Sequence, residues 1–278
     1  IMFWANYTVL WLIMLGLLVL DVVLVRMGVR IFNREELLGR EIDEFNLIAG
    51  LRKWVILTLA RRAGGPRRSV WRWYREEVLG AVGRMKGALL VVIIAVVAAY
   101  FLGQRYAHIY VIPADFFYTE SWLEDFQEMM AQVGLVGTRG TLRVLFQNVR
   151  ALAIASGLAV FSFGVIAVLI LMLPVALVGF LVTQMVAAGI DPLTPWAAVI
   201  PHSLLEIPAV ILAGAAALRL GASVLAPPPG KTVGEGWMEA LADATRLWLT
   251  LILPLLVLAA FVEINVTPRV MTLVAGGL

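Results

Sequence analysis

The run Pro201-His202-Ser203-Leu204-Leu205-Glu206-Ile207-Pro208 puts an imidazole and a carboxylate four residues apart inside the apolar segment Trp196–Leu220. On a helix that spacing stacks both side chains on one face. Ionisable groups at membrane depth are costly and turn toward the protein interior or toward one another. A second carboxylate, Glu263, lies in another apolar run, Ala259-Ala260-Phe261-Val262-Glu263-Ile264-Asn265, and Asn148 precedes a third. The order of the spans places His202, Glu206, Glu263 and Asn148 in the outer half of a bilayer, as one polar cluster. Three chemistries are open to it: a hydrogen-bond cluster that fixes helix packing, a proton or ion relay, and a metal site. The last needs more ligands than the His/Glu pair, and Glu263 or the other histidine, His108, are the candidates. The spacing alone demands no metal and none is assigned.

The elements that position these residues are membrane helices. Of 278 residues 62% are hydrophobic and 15% charged, and the mean hydropathy is +0.92. A soluble domain is nearer ~25% charged. The chain reads as an all-α, polytopic membrane bundle of about six transmembrane helices with amphipathic interfacial helices. No ten-residue alternation suggests a β-barrel. The absence of cysteine removes thiol and disulfide chemistry, and no nucleotide, dinucleotide or metalloprotease motif occurs, so neither cofactor nor enzyme activity is expected.

The first expected span is Phe3–Val25. Arg26–Lys86 holds 14 of the 22 Lys and Arg residues against seven acids, and by the positive-inside rule it is cytoplasmic. Within it Ile31, Arg34, Leu38, Ile42, Phe45 and Ala49 mark one face of a helix, apolar apart from Arg34. That helix either lies on the membrane surface or docks a soluble partner such as an ATPase subunit. The second span is clearest over Ala88–Leu102. Beyond it, Gln104–Gln132 carries five acids and one Arg, a reversal that fits an outer segment with a short helix at about 119–133. Val149–Ala188 is too long for one span, so two are expected with a turn between Phe163 and Pro174. The fifth span carries the His/Glu pair and ends near Arg219. Thr232 and Glu235 form a capping-box pattern that opens a short helix to about Thr245, and Leu247–Val266 is the sixth span. Gly214, Gly221 and the alanines between them are expected to mark close helix packing. Two parts result: residues 1–86, a transmembrane helix plus a basic cytoplasmic segment, and residues 87–278, the membrane domain.

Pro201-His202-Ser203-Leu204-Leu205-Glu206-Ile207-Pro208-Ala209, followed by Ala213-Gly214-Ala215-Ala216 and Leu220-Gly221, resembles the signature of the stage II sporulation protein M family. Ala259-Ala260-Phe261-Val262-Glu263 with Val266-Thr267-Pro268 resembles that family's last helix, and Asn148 also fits. The resemblance covers roughly Leu79–Met271. It departs from the family at Ser203, where glycine is usual, and near Val178-Gly179, where Asn-Gly is usual, and these departures weaken the expectation of a close backbone approach there. A shorter resemblance, Phe32-Asn33-Arg34-Glu35-Glu36-Leu37-Leu38, is to the tail of ABC-2 type transporter permease subunits.

These resemblances imply a non-catalytic, multi-pass cell-membrane subunit of an ABC-2-like export or envelope-remodelling complex. Its partners would be membrane lipids, other membrane subunits and a separate ATPase subunit docking on Phe32, Arg34, Glu35, Leu38, Ile42 and Phe45. Nucleic acid is not expected, and a homo-oligomer stays open. The alternative is a membrane scaffold for peptidoglycan-remodelling enzymes, as for the family's namesake, with the acidic segment Asp115–Gln132 as the contact surface.

Overall fold

Among the described residues five helices are long and apolar enough to cross a membrane: Lys86–Ala107, Gly137–Phe161, Val165–Ala187, Leu193–Leu225 and Val233–Asn265. They come from a computed structural model that describes residues 14, 18, 47–59, 69–114, 117 and 137–275. The expected span Phe3–Val25, most of the amphipathic stretch Ile31–Ala49 with its docking residues Phe32, Arg34, Glu35, Leu38, Ile42 and Phe45, and the acidic helix at about 119–133 lie outside the described residues. The chain divides into two compact units, Ile1–Leu51 and Arg52–Leu278. All that follows concerns the second.

In chain order the helices are α1 (Leu47–Thr58), α2 (Val70–Trp73), a π turn (Tyr74–Val78), α3 (Leu79–Arg84), α4 (Lys86–Ala107), α5 (Gly137–Phe161), α6 (Val165–Ala187), α7 (Leu193–Leu225), α8 (Val233–Leu247), a second π turn (Trp248–Ile252), α9 (Leu253–Asn265) and α10 (Thr267–Ala275). No strand occurs among the described residues. The architecture is an all-α membrane bundle.

Helix α7 is the axis. It packs against α4, α5, α6, α8, α9 and α10. Ala213, Gly214, Ala215, Ala216 and Ala217 are all buried, and five successive residues at about 3.6 per turn cover every face of a helix. Only side chains this small let neighbours approach from all sides, as membrane packing favours. A Cβ on Gly214 would press on Leu171 and Val92, and one on Gly221 would strike the backbone of Phe163 and Gly164.

That contact explains the turn between α5 and α6. It falls at Ser162–Gly164, at the near edge of the expected interval, and Phe163 (φ 52°) and Gly164 (φ 90°) reverse the chain in the left-handed region. The amide of Gly164 bonds back to the carbonyl of Ala159 at 2.8 Å, closing a Schellman-type end. An apolar reversal needs protein over its backbone, and α7 supplies it at Gly221 and Leu218. Pro174 does not end a helix but lies inside α6.

Helix α5 begins at Gly137, well before the expected Val149. Helix α7 runs past Arg219 to Leu225. The Thr232–Glu235 capping box is present, but its helix is not separate. It continues through the second π turn into α9, where Pro254 occupies the first turn. A wide turn accommodates a residue that donates no backbone hydrogen bond.

The α4–α6 pair is equally close. A Cβ on Gly103 would collide with the Ala176 carbonyl, and one on Gly179 with that of Tyr100. The close approach at Gly179 therefore exists beside Val178. Buried Gln184 locks the far end of this pair. Its amide donates to the carbonyls of Ala107, at 3.0 Å, and Tyr110, while its oxygen accepts from the Ile112 amide at 3.2 Å.

Candidate functional site

Two polar centres lie on α7, at His202 and at Arg219. Seventeen residues of helix separate them, about 26 Å at 1.5 Å per residue.

At the first, His202 and Glu206 share a face of α7, and Glu263 comes from the last turn of α9. Each offers one ligand-type atom, and these atoms all lie within 4.8 Å of one another. All three residues are half-buried. Thr267, the first residue of α10, is buried and places its hydroxyl 3.5 Å from Nδ1 of His202. The same hydroxyl donates to the carbonyl of Val262 at 3.3 Å. Pairing of 202 with 267 and of 206 with 263 sets α7 antiparallel to the last membrane helix. Among the described residues none donates a hydrogen bond to the Glu206 or Glu263 carboxylates. Two ionised carboxylates no more than 4.8 Å apart repel by about 3 kcal/mol or more at an effective dielectric constant near 20, which a cation or a proton between them would relieve.

Asn148 makes no hydrogen bond to this group among the described residues. The antiparallel register explains why. Asn265 donates to Thr141 of α5 at 3.3 Å, so Thr141 stands level with the end of α9. Asn148 is seven residues further along α5, about 10 Å deeper, and no hydrogen bond ties it to the other three. His108 is exposed at the end of α4 and is not one of the clustered groups.

At the second centre one buried carboxylate serves three guanidinium groups. Asp243 of α8 accepts from Nε and Nη2 of Arg84 at 2.8 and 2.7 Å, from Arg219 at 2.5 Å and from Arg246 at 2.6 Å. Glu77 adds a contact of 3.5 Å to Arg246. Arg246 also donates to the carbonyls of Thr58, at 2.9 Å, and Leu57, capping the C-terminus of α1. Trp54 of α1 donates to Thr245 at 3.3 Å. The Asp243 hydrogen bonds hold the Arg84 guanidinium above its ordinary value against the lowering effect of burial. Sequence reading singled out neither Asp243 nor Arg246. Their signal is an Asp–Arg pair at i, i+3 on the turn that immediately precedes an apolar run.

A charged, tightly joined end, an apolar middle and a half-buried His/Glu group define a polytopic membrane protein. The profile of the stage II sporulation protein M family matches residues 87–268. The chain belongs to that family. No curated protein and no solved structure matches it.

Proposed function

We propose that the protein is a non-catalytic membrane subunit of an ABC-2-like export or envelope-remodelling complex, with the ATPase on a separate chain. Its arginine-rich end would face the cytoplasm. The observation that carries the reading is the grip of Arg246 on α1. This side chain belongs to the last membrane-crossing helix, yet it holds the carbonyl end of a helix that emerges from the basic N-terminal segment. Force applied to that segment by a soluble partner would pass through Arg246 and Asp243 into α7, α3 and α8. A bundle meant only to sit in lipid has no need of such a joint.

The test is purification of the native complex with wild-type chain and with Leu38→Asp combined with Phe45→Asp. Co-purification of an ATPase with the first, lost with the second while the bundle stays folded, is the expected result. Recovery of peptidoglycan hydrolases and no ATPase would replace this reading by the scaffold.

A further inference from the structure

We propose that His202, Glu206 and Glu263 form a binding site for one divalent transition-metal ion, of the zinc or manganese class, held in orientation by Thr267. The argument is one of donors and acceptors. The Thr267 hydroxyl gives its proton to the Val262 carbonyl, so toward His202 it accepts. Nδ1 of His202, 3.5 Å away, then carries the ring proton, and Nε2 keeps a lone pair. This is the arrangement by which an outer partner sets the tautomer of a ligating histidine.

The carboxylates contribute only further lone pairs. No described residue donates a hydrogen bond to either, and the three ligand-type atoms sit within 4.8 Å of one another. Two carboxylates and an imidazole this close together, with no donor to either carboxylate among the described residues, call for positive charge in their midst. A single shared proton would neutralise only one of the two carboxylates. A divalent ion neutralises both, and small rotations of three side chains bring their atoms to bonding distance. One nitrogen with two carboxylate oxygens suits zinc, manganese or iron, whereas magnesium and calcium favour all-oxygen sets. Glu263 lies two residues from the end of α9, so an ion reaches the site from the end of the bundle.

The full chain in lipid nanodiscs, titrated with Zn2+ in the presence of excess Mg2+ by calorimetry, tests this. One Zn2+ per chain is expected, with affinity reduced more than ~100-fold in Glu206→Gln and in Glu263→Gln. Thr267→Val should weaken it by about 10–100-fold, the range for loss of an outer partner. Asp191→Asn, in the loop before α7, should bind as wild type. Wild-type chain that takes up no Zn2+ overturns the proposal, whatever the fate of the variants, and points to a proton in the cluster. Binding unchanged in both Gln variants overturns it equally.

Discussion

Nε of Arg246 donates to the backbone carbonyl of Thr58 at 2.9 Å across 188 residues of chain. The same guanidinium holds Asp243 at 2.6 Å, so a single side chain links the end of α1 to the arginine cluster. Among the described residues Asp243 is the one acceptor that Arg84, Arg219 and Arg246 share, and it is 3% exposed. Removing it strands buried positive charge. Asp243→Ala should destabilise the bundle by about 3–5 kcal/mol, read as loss of folded protein in a detergent thermal-unfolding series. Arg219→Ala in the Asp243→Ala background should cost much less than in wild type. Additive losses would show that the cluster does not act as a unit.

The glycines separate cleanly into contact and free positions. Gly103→Ala and Gly179→Ala each drive a methyl into a facing carbonyl, and Gly221→Ala drives one into the α5–α6 turn. Each should cost about 1–3 kcal/mol. At Gly157 and Gly83 an added Cβ meets nothing within 4 Å, so alanine there should be neutral or slightly stabilising through helix propensity. Equal effects at all five positions would argue against the described helix crossings.

Orientation is open to direct measurement because the chain has no cysteine. Lys231→Cys, in the loop between α7 and α8, should be reached by an impermeant thiol reagent only from the cytoplasmic side. Asp191→Cys, in the loop between α6 and α7, should be labelled from outside. The opposite pattern would invert the bundle and with it the cytoplasmic docking of an ATPase.

Much of the fold is legible because hydropathy, capping and small-residue runs act locally. Span lengths, the Thr232–Glu235 box and the small-residue run Ala213–Ala217 can be read from near neighbours in sequence. The joint between α8 and α9 does not show, because the polar turn ending at Thr245 and the apolar run from Leu247 differ in composition while the backbone runs on through a π turn. The α5–α6 turn is hard to place because neither Phe163 nor Gly164 is polar. What fixes it is Gly221, on another helix. The His202–Glu206 pair is legible from its spacing, and Glu263 joins it because the two helices are antiparallel. Asn148 makes no hydrogen bond to the group among the described residues, and polarity alone says nothing about register. Asp243 escapes notice because it is one of three acids in a short amphipathic helix, with Glu235 and Glu239, and looks solvated until three arginines from three helices converge on it.

The last prediction separates the His/Glu group from its surroundings by coupling. Glu206→Ala and Glu263→Ala each remove one of two carboxylates that repel across at most 4.8 Å and that share His202. Each single change therefore relieves the same repulsion and deprives the same neighbour. The double variant should fall short of the sum of the two by about 0.5–3 kcal/mol. Asn148→Ala, about two helical turns from Thr141 and without a bond to the group, should add to either within about 0.5 kcal/mol. Thermal unfolding of the five proteins, wild type included, and of the Glu206→Ala/Asn148→Ala pair decides it. Coupling between Glu206 and Asn148 as large as that between the two carboxylates would mean that Asn148 belongs to the group after all, and that the register drawn from Thr141 and Asn265 is wrong.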